Sequence, residues 1–539
     1  MRPAIAFLSL AALIGSLALS GCWSRDTPVE QGNQQQILHR GLGADVAELD
    51  PHIVTGLPEV NVVSALFEGL VAEDPRDLHP VPGTAESWEL SSDQLRYTFH
   101  LRANAKWSNG TPITSADFIA SFRRVLTASL GADYAAMLYV VQNAEAYHKG
   151  TLTDFSQVGF AAPDAHTLVI TLEHPTPHFL TLLPHPVWFP VPLATIEQSG
   201  PADRRGNTWT RPETFVGNGP FTLKSWQPDR RIVVEKSLTY WDAAHVRLRA
   251  IHFHPASSVE SEERAFRAGQ LHITESLPVT KVDRYRRDEP EVLHISPFLD
   301  TYFYRLNVTR PVLNQRQIRQ ALSLAINREA IVEKITRGGQ RPAYSFTPPG
   351  TAGYLPPHRV ATDFEAARAL LVEAGYPDGQ GLPSFELLVN NSGNHLIIAE
   401  AIQEMWRREL GVTVKIANME QKTLLETRRT LGYQMLRSDW VGDYLDPSTF
   451  LNVFSGNSGN NHTGWSSSDY DSLLYQAERT ADPTARYALM QRAESILLDD
   501  APIIPIYYYT TVRLLHPAVR GWYPTLLDHH PYKHVWLEP

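Results

Sequence analysis

Cysteine is almost absent. Cys22 is the only one in 539 residues, so no disulfide can form within the chain. Basic charge is in deficit: 48 lysines and arginines stand against 58 acids, a formal net charge of −10. No basic block with interleaved aromatics occurs, which disfavours a nucleic-acid partner. The apolar stretch at residues 4–18 is too short and too cleanly ended to span a membrane. The motifs HExxH, GxSxG and GxxxxGK[ST] are missing, and with them the usual signatures of zinc peptidases, serine hydrolases and P-loop nucleotidases. There is no internal repeat and no long low-complexity segment.

What is there is ordinary for a folded protein: 43% hydrophobic and 20% charged residues. The length exceeds one hydrophobic core, so two or three domains are expected. Arg2, the apolar stretch and Leu19-Ser20-Gly21-Cys22 together resemble a bacterial lipoprotein signal. That resemblance implies removal of the segment before Cys22 and acylation of its thiol, which would tether the protein to a membrane surface. Trp23 follows in place of an aspartate. Residues 23–36 are polar and glutamine-rich and read as a flexible tether.

Along the chain, strands and helices alternate. Residues 37–42 read as a first strand and 59–69 as a helix closed by Gly69. Residues 87–90, 96–101 and 165–172 alternate as strands, and Asn109-Gly110 marks a hairpin. Thr114 to Asp117 opens a helix carrying Phe118 and Phe122. The proline-rich run 174–192 suggests a crossing between domains. Strands are expected at 218–226, 231–236, 248–254, 300–307, 385–390, 412–416 and 503–510. Helices are expected at 259–269, 315–325, 364–374, 395–410, 469–479 and 483–498. This order predicts an α/β class.

The stretch 437–450 concentrates chemistry. It holds Arg437, Trp440, Tyr444 and three carboxylates, Asp439, Asp443 and Asp446, directly after a short strand. A strand that runs out into fixed polar groups is a common place for ligand contacts. By spacing alone, Asp443 and Asp446 read equally well as solvated turn residues, and Trp440 as core.

The segment D-W-V-G-D-Y-L-D-P-S-T-F resembles the W-x-x-D-Y-x-x-P-x-x-F pattern of bacterial oligopeptide-binding proteins, the extracytoplasmic receptors of peptide ABC importers (family 5 solute-binding proteins). Leu49-Asp50-Pro51-His52, Leu66-Phe67-Glu68-Gly69-Leu70, Ala85-Glu86-Ser87-Trp88, Lys106-Trp107-Ser108-Asn109-Gly110, Asn218-Gly219-Pro220-Phe221 and Ile506-Tyr507-Tyr508-Tyr509 recur there in the same order. The resemblance implies a periplasmic-binding-protein-like fold: two α/β lobes closing on ligand, plus a third inserted lobe. Lobe I would comprise 37–67, 194–299 and 511–539, lobe II 68–193 and lobe III 300–510.

It also implies a site. Asp443 would pair with a peptide ammonium, with Tyr134 near the same end and Trp440 and Arg428 lining a side-chain pocket. Main-chain bonds would come from the strand 437–441 and from Asn218 and Gly219. Arg437 and His395 would receive the peptide carboxylate, and Tyr509 belongs to the same set. Arg305 and Thr55 stand where relatives carry acids. That change predicts disfavour of basic side chains near the ligand's second residue, unless Arg305 pairs with an acid such as Asp439. Thr336 replaces a lysine that relatives keep for longer peptides.

The implied partners are short peptides, an inner-membrane permease with cytoplasmic ATPases, and a membrane surface through lipidated Cys22. The protein would act as a monomer in the cell envelope, without cofactor, metal or catalysis. A narrower solute, such as a cell-wall peptide or a metal chelate, is the second reading. An envelope peptidase or other hydrolase is the third. His252 and His254 alternate on a strand, but neither they nor Asp528-His529-His530 come with a second ligand pair at metal spacing.

Overall fold

A computed structural model describes residues 26–356, 360–390, 394–456 and 458–539. Cys22 and the signal-like segment lie outside these residues. Among the described residues no helix is long and apolar enough to cross a membrane.

Three β-sheets organise the chain, each with its own core. The first sheet orders Ile37–Gly41, Ala250–His254, Arg231–Lys236 and Phe221–Gln227. Its core draws on residues from Leu38 to Phe67, from Phe189 to Ile273 and from Leu515 to Leu537. The second sheet is antiparallel, Ala85–Leu90, Arg96–Leu101, Thr167–Thr171 and Phe160–Asp164, over a core of Phe99, Phe118, Phe122 and Trp188. The third is mixed and six-stranded, and helices Arg316–Leu324 and His395–Leu410 pack on it through Ile318, Leu322, Ile402 and Trp406. We refer to these units as the first, second and third lobes.

Local chemistry accounts for several helix ends. Thr114 and Asp117 form a reciprocal cap on helix Ser115–Val125. Helix His395–Leu410 stops at Gly411, whose φ of 66° is left-handed. A Cβ there would stand 2.2 Å from the Asp378 carbonyl oxygen, so the position takes no other residue without displacement.

Three expectations need correction. Residues 28–35 of the expected tether are a helix, Pro28–Gln35. Thr27 and Glu30 cap it reciprocally, and Val29 is buried with its N–H on the Gly269 carbonyl. The polar composition masked this capping box. The strand expected at 300–307 is the longer Leu293–Leu306. Its first half bridges two lobes and is half-exposed, so it lacks an apolar signal. Helices Val279–Asp288 and Gln421–Arg429 were not anticipated, because each buries few apolar residues.

The lobes are tied in two ways. Leu293–Leu306 and Ile503–Leu514 pair along their length, from the edge of the first lobe into the third, with a register shift between Pro297 and Thr301. Between the first and second lobes, Arg124 grips Asp50 through two bonds of 3.0 and 2.6 Å. The Trp209 indole donates to the same carboxylate.

Candidate functional site

The strand Met435–Val441 sits between Leu293–Leu306 and Phe385–Asn390. The first neighbour pairs with it throughout, from Met435 to Val441. The second pairs only with Met435 and Leu436. From Arg437 to Val441, therefore, one edge of the strand has no strand partner among the described residues.

Beyond this edge the chain is tightly fixed. The Gly442 N–H bonds the Leu299 carbonyl at 2.7 Å, and the Asp443 N–H bonds the Thr449 hydroxyl at 3.0 Å. The Trp440 indole donates to the Thr449 carbonyl at 2.7 Å. Asp446 takes two bonds of 2.7 Å from Arg486 and also accepts from Ser448. Burial pulls the Asp446 carboxyl upward, but His178 and Arg486 outweigh it and hold it at about 2. The loop is thus anchored from below by an ion pair, leaving Asp443 displayed above it.

Asp443, Trp440, Asp439, Arg428 and Tyr134 line one cavity of about 1100 Å³. The second lobe contributes Tyr134, Met137, His178 and His185 to its wall, and the first contributes Thr55 and Val60. Tyr134 and Asp443 act on each other's titration, and the Tyr134 ring lies 4.5 Å from that of His185. The Tyr444 ring stacks on His178 at 5.5 Å with an angle of 12°. The His178–Tyr444 stack thus brings the second and third lobes together beside Asp443.

The electrostatics single out Asp443. Burial pushes its carboxyl up to about 6, against the opposing influence of the Tyr134 hydroxyl. Among the described residues no cation stands within ion-pair distance of it. A buried carboxylate that lacks a cation and faces a cavity is stabilised by a cationic ligand group.

The other residues singled out by sequence fall into three places. Arg428 lines the cavity, and its buried Nε has no hydrogen-bond partner. Arg437, Tyr509 and His395 gather around Tyr302, outside the residues that line the cavity. Arg437 donates to the Tyr509 hydroxyl at 2.7 Å and to Asp439 at 3.1 Å, over the Tyr302 ring. Burial foremost, then Arg437, lowers His395 to about 3, so its ring is neutral at pH 7. Asp439, one of the three carboxylates of the stretch, joins the two groups: it lines the cavity and holds Arg437.

Asn218, Gly219 and Arg305 are engaged elsewhere. Asn218 clamps Glu68, accepting from its N–H at 3.0 Å and donating to its carbonyl at 2.7 Å. Gly219 bonds the Leu66 carbonyl, and a Cβ on it would meet the Leu66–Phe67 peptide at 2.5 Å. These two residues secure the passage from the first lobe to the second. Arg305, expected at a side-chain pocket or on Asp439, is fully enclosed instead. It donates to the Ser438 hydroxyl and the Asn461 carbonyl, with Phe303 and Phe454 on its faces at 5.1 Å. Asp439 has Arg437 as its partner. The role of His178 and Arg486 is not legible in the sequence, since Arg486 meets His178 and Asp446 only in the folded chain.

A family profile described as "Bacterial extracellular solute-binding proteins, family 5 Middle" matches residues 79–462. The chain belongs to this family. Among similar family 5 proteins is the periplasmic oligopeptide-binding protein OppA of Escherichia coli. It is 38% identical over 534 residues, covering 97% of this chain and 95% of that one. The periplasmic murein peptide-binding protein MppA of the same species is 36% identical, covering 97% and 96%. The structure of the Escherichia coli murein tripeptide-binding protein superposes with a TM-score of 0.81 at 36% identity, covering 93% of this chain and 98% of that one. Haemophilus influenzae OppA in complex with RPPGFSPFR gives 0.79 at 31%, covering 94% and 99%.

Proposed function

We propose that this family 5 solute-binding protein captures short peptides by their free N-terminus and main chain, and delivers them to an inner-membrane ABC permease. The observation that carries the reading is Asp443: a half-buried carboxylate without a cation partner among the described residues, at one end of a large cavity and just past an open strand edge. A peptide ammonium would complete the charge pair. The peptide main chain would extend the sheet along the edge from Arg437 to Val441, a mode that does not depend on side-chain identity. Trp440 and Arg428 would meet ligand side chains. Arg437, with His395 and Tyr509, would serve a carboxylate arriving at the Asp439 side of the cavity. The relatives that bind oligopeptides and murein peptides support this substrate class.

The protein would work in the cell envelope by lobe closure without chemistry, as a monomer held to a membrane surface by acyl chains on Cys22. A cell-wall peptide is the narrower reading, supported by the match to a murein tripeptide-binding structure.

Calorimetric titration with a tripeptide and its N-acetylated form tests the proposal. The free amine is expected to bind and the acetylated form to fail. Equal binding of both would refute the Asp443 assignment. Native mass spectrometry of the protein as purified separates a mixture of retained peptides from a single cell-wall peptide.

A further inference from the structure

The first sheet has a second, unrelated feature on its outer face. Side chains alternate across a sheet. On Ile37–Gly41 and Ala250–His254, the residues Leu38, Ile251 and Phe253 turn into the core. The intervening His39, His252 and His254 occupy the opposite face. Parallel pairing sets His39 directly beside His252. The His39 and His252 rings are 4.8 Å apart, and those of His39 and His254 5.3 Å. One nitrogen from each of the three lies within 4.8 Å of the others. His39 Nδ1 and His254 Nε2 are already 3.1 Å apart. Two ligand nitrogens on one tetrahedral zinc ion stand about 3.3 Å apart, given metal–nitrogen bonds of 2.0–2.1 Å.

The surroundings fix this geometry. Helix Pro28–Gln35 lies against the same face, and a Cβ on Gly32 would touch His272 at 2.8 Å and His39 at 3.3 Å. His272 Nδ1 accepts the His39 N–H, and its Nε2 meets Asn33. Both His272 nitrogens are therefore engaged, and it orients His39 without being free to ligate. His252 Nδ1, by contrast, is buried and has no hydrogen-bond partner. His39 is buried, while His252 and His254 are half-exposed, so an ion could enter from solvent. Arg231 and Glu235, on the adjacent strand, act on His252 with opposite sign. Imidazole donors without thiolate or carboxylate suit zinc, copper or nickel over magnesium or calcium.

We propose that His39, His252 and His254 form a site for one divalent late first-row transition metal ion, with the zinc ion as its type, with three imidazole ligands and one position open to water. None of the three lines the ligand cavity. The ion would cross-link the N-terminal strand to its neighbour, a structural staple independent of peptide capture.

The experiment uses untagged, chelator-treated full-length protein, titrated with zinc ion by calorimetry and with cobalt(II) by visible absorption. One ion per chain, the strong absorption of tetrahedral cobalt, and an unfolding temperature that rises with zinc concentration are expected. His252→Gln and His254→Gln, both at half-exposed positions, should each weaken zinc binding about tenfold or more. His79→Gln disrupts the exposed acidic group with Asp74 and Asp77 and should change nothing. Absence of saturable binding at one equivalent would overturn the proposal. So would unchanged affinity in the His252→Gln/His254→Gln double variant, or a loss confined to His79→Gln.

Discussion

The Tyr134 side chain and the Asp443 carboxylate line the same end of the cavity, one from the second lobe and one from the third, and each acts on the other's titration. The contact marks where the two walls meet, beside a half-buried carboxylate that has no cation partner among the described residues. Asp443→Asn should keep the contact with Tyr134 yet lose the charge. Binding of free-amine peptides should weaken by about 3–5 kcal/mol, the usual cost of breaking a buried pair. Titration of wild type and variant with the same tripeptide checks this; an unchanged affinity would exclude the role.

The same residue predicts a dependence on pH. Its carboxyl is raised from 3.8 to about 6 by burial. A raised acid binds more protons folded than unfolded between these values, so the stabilisation present below pH 3.8 is lost as pH rises through 6. The ligand-free wild type should therefore be less stable at pH 8 than Asp443→Asn, by up to about 3 kcal/mol. Peptide affinity should run the other way, rising through pH 6 as the carboxylate forms. Denaturant melts at pH 5 and pH 8 measure the first effect; a variant no more stable than wild type at pH 8 would contradict it.

The Asp446–Arg486 pair, with both side chains at most 3% exposed, anchors the loop beneath Asp443. Arg486→Met should cost about 3–5 kcal/mol by stranding the carboxylate. Adding Asp446→Asn should restore part of that loss, since the two effects are not additive. Equilibrium unfolding of the three variants checks the coupling, and strict additivity would exclude it.

Side-chain selectivity should follow Arg428 and not Arg305. Arg428 lines the cavity, whereas Arg305 is enclosed behind its wall. In a series of Ala-Glu-Ala, Ala-Ala-Ala and Ala-Lys-Ala, wild type should favour the acidic peptide, because a guanidinium repels lysine and can bind carboxylate through two bonds. Arg428→Gln should flatten the series. Arg305→Met should lower stability while preserving the order of the three. Equal binding of Ala-Lys-Ala and Ala-Glu-Ala to wild type would remove the charge argument.

Anchoring is tested separately. Cys22→Ser should abolish acylation and release the protein from membranes, since the acyl chains supply the attachment. Fractionation with unchanged membrane association would refute the lipid anchor.

The regular elements were largely legible because their signals are local. The alternation of Tyr97, Phe99 and Leu101, the Thr114–Asp117 cap and the Gly411 stop can each be read within a few residues. Asp443 was legible because its neighbours form a recognisable pattern. What stayed hidden depends on distance. Whether Arg305 faces a ligand or Asn461 is decided by a loop far along the chain. Asp439 gains its bridging position only when Arg437 is placed, and Arg428 sits on a helix with Leu424 as its single buried residue. The pair His252 and His254 was visible as an alternation, but His39 joins it only through the parallel register of two strands.

The pairing of Leu293–Leu306 with Ile503–Leu514 has a consequence for order in time. The first lobe's core is unfinished without Val519, Tyr532, Val535 and Leu537, which follow the paired strands of the third lobe in the chain. A ribosome must release the chain as far as Leu537 before that core can close, although domains made of contiguous sequence can fold as they emerge. The first lobe is thus the last of the three whose core can close in order of synthesis, and the paired strands hold its edge in place until then.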